Sequence, residues 1–435
     1  MPPGKSPEAK SKKMTLARLR FVLPETPAGD AVRRISELIR SCGGRALLAG
    51  GGVRDLLSGR ELNDFDLEVY ALDAETLQKT VSAEFPLDTV GMSFGVMKIR
   101  HLPIDIALPR RENKTGQGHR GFMVTTVPDL SFFEASARRD FTVNAMMCDP
   151  LTGEIIDPHG GQADLQKKIL RHVSSHFSED PLRVLRGMQF IARFGFTPAP
   201  ETVQLCRELS QTELAAERIG DEWDKFLLKG THQTAAIAFL RDSGWLRFYP
   251  ELAALPDYFL DAVADALEYA ASRRTGNEAD DRCIAAAILC RYLTKEEAES
   301  LLARIWRRND LQKQAAVLAR HAEIPAGPLP EDPSLRRLAL TVGRMDLLTR
   351  IAASFFPAKE EEWERFQARC QALDIWQTPP VPILQGRHLI SRGIPPGKVM
   401  GEILRKCFEA QLDGKFTDEK QALQFLESVK PPAAD

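Results

Sequence analysis

Residues 47–70 read LLAGGGVRDLLSGRELNDFDLEVY, and this stretch decides the fold. The run DFDLEVY has the composition of a β-strand, and strand side chains alternate between faces. Asp64 and Asp66 therefore point to one face, while Phe65 and Leu67 point to the other. Two carboxylates on one face repel each other, so a cation is expected between them, and Mg²⁺ suits one or two carboxylates together with phosphate oxygens. The alternative is a pair of capping or salt-bridged aspartates.

The glycines upstream of this strand suggest that the cation would act together with a bound phosphate. Gly50 and Gly51 end an apolar strand just before VRDLLSG, which reads as the start of a helix. Glycine permits positive φ and lets backbone N–H groups approach an anion closely. Arg54 falls in the first turn of that helix, where its guanidinium can clasp a phosphate. Acidic metal ligands beside a phosphate nest favour phosphoryl or nucleotidyl transfer.

Length and composition limit the classes of protein to consider. The chain has 435 residues, which predicts two or more domains, and its apolar fraction of 43% supports real cores. No apolar run is long enough to cross a bilayer, and the polar, lysine-rich start has no secretory signal. The seven scattered cysteines form no CxxC pair, which predicts a reducing cytoplasm. A net charge of −2 means that any nucleic-acid surface is a local basic patch.

The chain has two parts with different secondary-structure patterns. From about 45 to 157, short β-rich runs alternate with turns and helical patterns, which predicts a small mixed α/β domain. After residue 160 the strand signal fades and helical patterns continue to the end, so the predicted fold class is α+β with an all-helical second part. These patterns include helices over 165–173 and 180–196. Proline-rich breaks fall near 249–258, 323–333 and 376–386.

A third acidic residue lies in another apolar strand. Asp105 sits between two isoleucines in PIDIALPRRE, which is a poor place for an unpaired charge. A carboxylate from a neighbouring strand would complete a two-metal site and could deprotonate an attacking hydroxyl. The alternative is an aspartate on an edge strand that faces solvent. The basic, glycine-rich segment 110–122 reads as a mobile loop beside a polyanion, or as a plain solvated loop.

The run ASARRDFTVNAMMCDP, residues 135–150, combines charges with apolar positions. Asn144 follows Asp140 by four residues and shares its face if this run is helical. Arg139 could meet a triphosphate while Asp140 orients it or bonds a ribose hydroxyl. A structural ion pair between Arg139 and Asp140 explains the same residues.

The run SHFSEDPLRVLRGMQFIARFGF, residues 175–196, has the marks of a helix start, with Ser178 as the predicted N-cap. Asp180, Arg183, Arg186 and Gln189 recur every three residues and form a predicted polar ridge. A carboxylate acceptor beside an arginine donor matches the pairing edges of cytosine and adenine and mismatches those of uracil and guanine. An i,i+3 salt bridge on a solvated helix is the competing explanation, and the spacing alone favours it.

Taken together, these motifs resemble a known family. In the order Gly-Gly-x-Val-Arg-Asp, Asp-x-Asp, Arg-Arg-Asp and Glu-Asp-x-x-Arg, the chain is similar to bacterial class II tRNA nucleotidyltransferases and their poly(A) polymerase relatives, within the polymerase-β-like superfamily. The motifs span 49 to about 225, and the segment LQGRHLISRGIPPGKVMGEILRKCFEAQLDGKF resembles the tail of many bacterial members. The resemblance implies template-independent addition of C, C and A to a tRNA 3′ end from CTP and ATP.

The resemblance also implies a domain order and roles for individual residues. The implied order is a flexible basic N-terminal tail (1–24), a catalytic head (25–158), a neck that recognises the base (159–232), a body (233–355) and a tRNA-binding tail (356–435). The catalytic residues would be Asp64, Asp66 and Asp105, with Mg²⁺ held by Asp64 and Asp66. The nucleotide-binding residues would be Gly51, Arg54, Arg139, Asp140, Asn144, Asp180, Arg183 and Arg186, with Asp180 and Arg183 as the base-reading pair. Glu217 and Arg218 would support the neck.

This sequence departs from the family pattern at a few positions, and other functions therefore stay open. Gln189 stands where the family often has a third arginine, and His388 stands where an aspartate is frequent. The sequence has no arginine-rich stretch directly after the Asp-x-Asp strand, which favours tRNA over poly(A) addition. A poly(A) polymerase is the alternative enzyme, and a catalytically inactive RNA-binding relic is the alternative from another class.

Overall fold

The computed structural model describes most of the chain and divides it into two compact units. The first unit comprises Met1–Arg183 with Phe196–Glu213, and the second comprises Val184–Gly195 with Leu214–Asp435. The described residues are 23–62, 64–88, 96–114, 122–211, 214–306 and 309–429. The predicted N-terminal tail therefore lies almost wholly outside the described residues.

The first unit carries all the described strands. Its elements, in chain order, are α1 (Pro27–Ser41), β1 (Arg45–Ala49), α2 (Gly51–Leu57), β2 (Phe65–Tyr70), α3 (Ala74–Ser82), β3 (Leu87–Asp88), β4 (Val96–Ile99), β5 (Ile104–Ala107), β6 (Arg110–Lys114), β7 (Phe122–Thr126), α4 (Phe132–Ala137), β8 (Met147–Cys148), β9 (Ile155–Ile156), α5 (Gly161–Lys167), β10 (Ile169–Leu170), the start of α6 (Leu182–Phe194), β11 (Thr197–Pro198) and α7 (Pro200–Arg207). Short 3-10 helices cover Thr142–Asn144 and Ser175–Glu179.

A mixed sheet organises this unit. Seven strands pair in the order β3-β4-β5-β2-β1-β8-β9. Only the pairing of β2 with β5 is parallel in this sheet, and its register sets Asp66 opposite Asp105. The antiparallel pairing of β4 with β5 sets Lys98 opposite the same Asp105. A row of charged positions therefore crosses three adjacent strands.

The helix α1 covers the sheet because its apolar residues share one face. Thr26 caps the helix by accepting a hydrogen bond from the N–H of Gly29 at 3.2 Å. Val32, Ile35 and Ile39 recur at helical spacing and are fully buried. They join one apolar cluster with the inward-facing residues of the sheet, which makes the strand face opposite Asp66 the core of the unit.

Two predictions about local structure in this unit are wrong. The helix predicted over 165–173 ends at Lys167, because Lys168 adopts a left-handed conformation and the chain then forms β10. This strand pairs with β11 in parallel, which is a tertiary contact that local periodicity does not register. The segment 110–122, predicted as a loop, contributes its ends to the antiparallel hairpin of β6 and β7, while 115–121 lie outside the described residues.

The start of α6 also differs from the prediction. Ser178 is not the N-cap, because it lies within a 3-10 helix. The carboxylate of Asp180 instead accepts a hydrogen bond from the N–H of Leu182 at 3.1 Å. Gln189, predicted on the polar ridge, is buried and accepts a hydrogen bond from Arg193 at 3.1 Å. The solvated ridge therefore ends before Gln189.

The second unit is helical throughout its described part. After the remainder of α6 its helices are α8 (Ala216–Lys229), α9 (Gln233–Asp242), α10 (Pro250–Ala253), α11 (Asp257–Ala271), α12 (Glu278–Leu289), α13 (Lys295–Ile305), α14 (Asn309–His321), α15 (Asp332–Val342), α16 (Met345–Phe355), α17 (Glu360–Ala372), α18 (Gly386–Ile390), α19 (Lys398–Leu412) and α20 (Glu419–Val429). None of the helices in the described ranges combines the length and apolar character that spanning a bilayer requires.

The division into head, neck, body and tail stays a prediction. Along the chain, boundaries between the two units fall inside the predicted neck, at Arg183 and at Glu213. A separate apolar cluster does form around α18, α19 and α20, where Leu389, Ile403 and Leu426 are buried. This cluster lies within the predicted tail.

One close approach in the first unit yields a test of the fold. Gly161 begins α5, and a Cβ there would overlap the carbonyl oxygen of Thr142 and lie 2.8 Å from Cγ of Met146. We expect Gly161→Ala to lower the free energy of unfolding of this unit by about 1–3 kcal/mol, because the added methyl overpacks the contact. Hydrogen exchange of amides in the first unit measures the loss.

Gly401→Ala is the matched control for Gly161→Ala. Gly401 lies inside α19 and a Cβ there meets nothing within 4 Å. The same substitution should stabilise its helix by about 1 kcal/mol through higher helix propensity. Equal destabilisation by both substitutions would contradict the packing argument.

Candidate active site

Three carboxylates gather where β2 and β5 run side by side. Asp64 directly precedes β2, Asp66 is its second residue, and Asp105 is the second residue of β5. Phe65 and Leu67 are buried, whereas Asp64 and Asp66 are exposed, which confirms the predicted alternation. Both aspartates therefore stand on the face of the strand away from the core.

The charges around Asp66 make it a place for a cation. Desolvation by the surrounding protein and the neighbouring charge of Asp105 raise the pKa of the Asp66 carboxyl. The charge of Asp64 acts in the same direction, and that of Arg139 opposes it. A cation between the carboxylates would relieve this repulsion.

Asp105 already has a cationic partner. The ammonium of Lys98 lies 2.9 Å and 2.6 Å from its two carboxylate oxygens. This hydrogen bond raises the pKa of Lys98, so the lysine stays charged. Sequence reasoning missed Lys98, although its alternation with Met97 and Ile99 in VMKI marks it as an outward-facing residue of a strand.

The donor set fits a divalent ion that shares its coordination with a substrate. Within the described ranges, no three His, Cys, Asp or Glu side chains are arranged to hold a metal by themselves. Asp64 and Asp66 together offer two hard carboxylates, and Mg²⁺ in nucleotide-processing sites takes one or two carboxylates and completes its shell with phosphate oxygens and water. Divalent-metal use is general in the nucleotidyltransferase family that the sequence motifs resemble.

The glycines lie next to these acids. Gly50 has φ of 73°, and a Cβ built there would meet Nη1 of Arg139 at 3.3 Å and Oδ2 of Asp66 at 3.8 Å. A side chain at this position would therefore crowd both the arginine and the acid. Gly51 follows as the first residue of α2. The prediction that Gly51 binds the nucleotide stays a prediction.

Arg54 is bonded to other residues inside the first unit. Its side chain is buried, and its guanidinium bonds both oxygens of Asp55 and Oδ1 of Asn144 at 2.5 Å. Burial lowers the pKa of Arg54. The guanidinium is thus a brace inside the unit rather than an open clasp for phosphate, and the phosphate contact stays a prediction.

Asp140 and Asn144 complete this brace. Nδ2 of Asn144 donates to Oδ1 of Asp140 at 2.9 Å, and that oxygen also accepts the N–H of Phe141 at 2.7 Å. Both residues are buried. They meet across a 3-10 turn rather than on one α-helical face. The two motifs Val-Arg-Asp and Arg-Arg-Asp are therefore joined through Arg54 and Asn144, while nucleotide contacts by Asp140 and Asn144 stay predictions.

Arg139 lies near Asp66, and its predicted nucleotide contact stays a prediction. Its Nη2 lies 2.7 Å from Oε2 of Glu68, and its Nη1 donates to the carbonyl oxygen of Asn144 at 3.2 Å. Sequence reasoning missed Glu68, although a glutamate two positions after Asp66 in DFDLEVY is a charge on the same face of the strand. Arg139 thus forms its ion pair with Glu68, and not with Asp140 as the sequence suggested.

The predicted base-reading residues lie at the start of α6. Asp180 caps the helix, as described above. Arg183 donates from Nη1 to the carbonyl oxygen of His176 at 2.6 Å and from Nη2 to that of Arg138 at 2.5 Å. These bonds tie the helix start to the segment that carries Arg139. Base recognition by Asp180 and Arg183 stays a prediction.

Arg186 belongs to the second unit. Its Nη1 lies 3.8 Å from Oε1 of Glu222, a buried residue of α8 that also accepts from Lys225 at 2.8 Å. Glu217 and Arg218, proposed by resemblance to support the neck, lie in the first turn of the same helix. The triphosphate contact of Arg186 stays a prediction.

Two family models match the chain. Residues 46–171 match the poly A polymerase head domain, and residues 195–255 match the probable RNA- and SrmB-binding site of polymerase A. The first match contains Asp64, Asp66 and Asp105 together with Arg139. It therefore covers the whole carboxylate cluster of the first unit.

Curated relatives share about half their length with this chain. The "Multifunctional CCA protein" of Xanthomonas campestris pv. campestris is 40% identical over 216 residues, which cover 48% of this chain and 51% of that protein. The protein of the same name from Stenotrophomonas maltophilia is 41% identical over 217 residues, covering 48% and 52%. The chain thus spans about half the length of the curated relatives it matches.

Solved structures match nearly the whole fold. The Bacillus stearothermophilus CCA-adding enzyme in complex with CTP has a TM-score of 0.70 at 24% identity, covering 93% of this chain and 98% of that one. The Thermotoga maritima CCA-adding enzyme complexed with tRNA has a TM-score of 0.65 at 20% identity, covering 93% and 96%. These matches confirm the α+β fold class with its helical second part. The family models and the curated relatives confirm the resemblance to the tRNA nucleotidyltransferase and poly(A) polymerase family.

The brace around Arg54 generates a stability prediction. We expect Asn144→Ala to lower the free energy of unfolding of the first unit by about 1.5–3 kcal/mol, because it deprives a buried guanidinium of one acceptor and Asp140 of one donor. Hydrogen exchange of the amides in β1 and α2 measures the change.

Gln204→Ala is the control for Asn144→Ala. Gln204 is an exposed amide that accepts from Arg207 at 3.2 Å, so the same kind of contact is removed on the surface. Its loss should change stability by less than about 0.5 kcal/mol. A similar cost for both substitutions would show that burial of the brace contributes nothing.

Proposed function

We propose that this chain is a template-independent RNA nucleotidyltransferase that adds CCA, or part of it, to tRNA 3′ ends from CTP and ATP. The observation that carries the proposal is the placement of Asp64, Asp66 and Asp105 on one open face, with Gly50 and Arg139 beside them. The names of the curated relatives and the substrates bound by the similar structures support the same reaction.

The acids would hold Mg²⁺ through Asp64 and Asp66. The ion, when bound, supplies charge neutralisation and Lewis-acid polarisation of the phosphates. Arg139 supplies a further positive charge next to Asp66, where the negative triphosphate of the incoming nucleotide would lie. Repulsion between the carboxylates is the physical reason that this site accepts a cation and a phosphate together.

The proposed reaction forms a P–O bond between the RNA and the incoming nucleotide beside these acids. The 3′ hydroxyl oxygen of the RNA attacks the α-phosphorus, a new P–O bond forms, and the bond to the leaving pyrophosphate breaks. Asp105 would accept the hydroxyl proton, and Lys98 keeps its carboxylate oriented at 2.6 Å. A carboxylate can act as a general base when it lies within hydrogen-bond reach of the hydroxyl.

Base selection is assigned to Asp180 and Arg183. The two side chains can offer one acceptor and a fork of donors to the pairing edge of cytosine or adenine. In the present structure these atoms serve the helix start and two backbone carbonyls. Recognition therefore requires a base edge to replace part of these bonds. Gly51, Arg54, Asp140, Asn144 and Arg186 remain proposed nucleotide contacts from the family resemblance.

A second enzyme function has one observation in its favour. The family model that covers the first unit is described as a poly A polymerase head domain. A poly(A) polymerase would use the same acids and would extend unrelated RNA with ATP alone. The inactive RNA-binding relic is disfavoured, because such a protein has no need for mutually repelling carboxylates.

A cytoplasmic location is proposed with the function. All seven cysteines are free thiols, and all except Cys42 are buried. Free buried thiols suit a reducing compartment.

The reaction has a direct substrate test. A tRNA that lacks its 3′ CCA should be extended by CTP alone to the CC stage and should receive A only when ATP is also present. We expect wild-type protein to require this order in single-nucleotide incorporation assays resolved on sequencing gels. Addition of A to unrelated RNA, with no use of CTP, would select the poly(A) alternative.

The role of the acids has its own test. Asp66→Asn removes one charge from the cation site, and we expect incorporation to fall by roughly 10³-fold, since metal stabilisation of a transition state contributes several kcal/mol. Gel-shift binding of tRNA should be unchanged. Asp73→Asn is the matched control, because Asp73 is an exposed N-cap of α3 and asparagine caps equally well. Full activity in Asp66→Asn would refute the assignment.

A further inference from the structure

We propose that Glu68 is a positioning residue that aims Arg139 at the triphosphate and keeps it away from Asp66. This inference rests on the proposed function, since it gives a task to a nucleotide-binding arginine. Glu68 touches neither the reacting atoms nor the cation site, and it would act only through Arg139.

Two contacts fix the orientation of Arg139. One guanidinium nitrogen lies 2.7 Å from Oε2 of Glu68, and the other donates to the carbonyl oxygen of Asn144 at 3.2 Å. The Glu68 side chain is only 5% exposed, so its carboxylate has little freedom to move. The arginine side chain is 19% exposed, so part of it faces the open side of the sheet. A planar guanidinium held at two nitrogens has a defined plane and direction.

The guanidinium lies close to the acid that would hold the cation. The point where a Gly50 Cβ would stand is 3.3 Å from Nη1 of Arg139 and 3.8 Å from Oδ2 of Asp66. The arginine and the acid are therefore near neighbours beside the start of α2. An anion that contacts both the cation at Asp66 and the charge of Arg139 would lie on the open face next to them.

The burial of Glu68 has a cost in stability. Within the described residues, its Oε1 is buried and accepts no hydrogen bond of good geometry, although Tyr70 is near enough that Glu68 contributes, after burial, to the raised pKa of the Tyr70 hydroxyl. A buried acceptor without a partner costs about 1–3 kcal/mol, and an apolar side chain often serves stability as well as a buried ion pair does. Glu68 also places a second acid on the same strand face as Asp66. Such a cost is expected where a residue serves function.

Glu68 and Asp66 are both acids with which Arg139 could pair, and this explains why Glu68 is needed. Asp66 is an acid that lies close to the guanidinium. An arginine paired with Asp66 would occupy the position of the cation and neutralise its ligand. Glu68 provides a competing, buried partner, so Arg139 stays near Asp66 without binding it.

The test is nucleotide binding by the full chain in the absence of RNA, where no reaction occurs. Glu68→Gln keeps the shape of the side chain and removes its charge. We expect it to weaken CTP binding by about ten-fold in equilibrium dialysis with Mg²⁺. CMP binding should change less than about two-fold, because CMP lacks two of the three phosphates of the triphosphate that Arg139 would meet. Glu84→Gln, which removes the acid of an exposed ion pair with Arg34, should bind both nucleotides normally.

Two further variants separate positioning from a structural defect. Glu68→Asp keeps the charge and should recover part of the CTP affinity, so it reports on the ion pair even if Glu68→Gln folds poorly. In an Arg139→Gln background, Glu68→Gln should cause no further loss, because a residue that acts through Arg139 has nothing left to position.

The outcomes are distinguishable. Normal CTP binding by Glu68→Gln, equal losses for CTP and CMP, or an undiminished loss in the Arg139→Gln background would each overturn the positioning role and leave the proposed function standing. Failure of the wild-type chain to bind CTP would overturn the proposed function and this inference with it.

Discussion

The parallel pairing of β2 with β5 is the constraint on which the site depends. Its register sets Asp66 directly opposite Asp105, and β4 adds Lys98 to the same row. A shift of one residue would turn Asp66 into the core and bring Phe65 to the open face. The buried residues Phe65, Leu67 and Ile106 exclude that shift, because each would exchange an apolar environment for water. The core thus determines where the acids stand.

A buried hydrogen-bond network connects two of the sequence motifs. Arg54 of the Val-Arg-Asp run and Asn144 of the Arg-Arg-Asp run are joined by a buried hydrogen bond, and Asp55 and Asp140 close the chain of contacts at its two ends. Residues that read as separate ligand contacts along the sequence are here partners of each other. The motif glycines and Arg139 are then held at a defined distance from the acids. Much of what the motifs specify is therefore the rigidity of the site.

Much of this architecture follows from the sequence, and the exceptions have physical causes. Alternation in DFDLEVY predicts the outward direction of Asp64 and Asp66, and helical periodicity predicts the second unit. Local patterns fail where a distant partner decides the outcome, as at β10, which forms because β11 lies beside it. Burial of Arg54 is invisible for the same reason, since its partner Asn144 is 90 residues away. Lys98 is the one charge in its strand and Glu68 is the second acid in its strand, and the partners of both appear only when strands and loops are assembled.

The two ion pairs of the site differ in how they respond to dissolved salt. Lys98 is 63% exposed and Asp105 is 36% exposed, so mobile ions can screen their attraction. Glu68 and Arg139 are largely enclosed, and screening reaches them weakly. Rising ionic strength would therefore weaken the orientation of Asp105, the proposed general base, and leave the contact between Glu68 and Arg139 in place. Dissolved salt would act on one of the two ion pairs and spare the other.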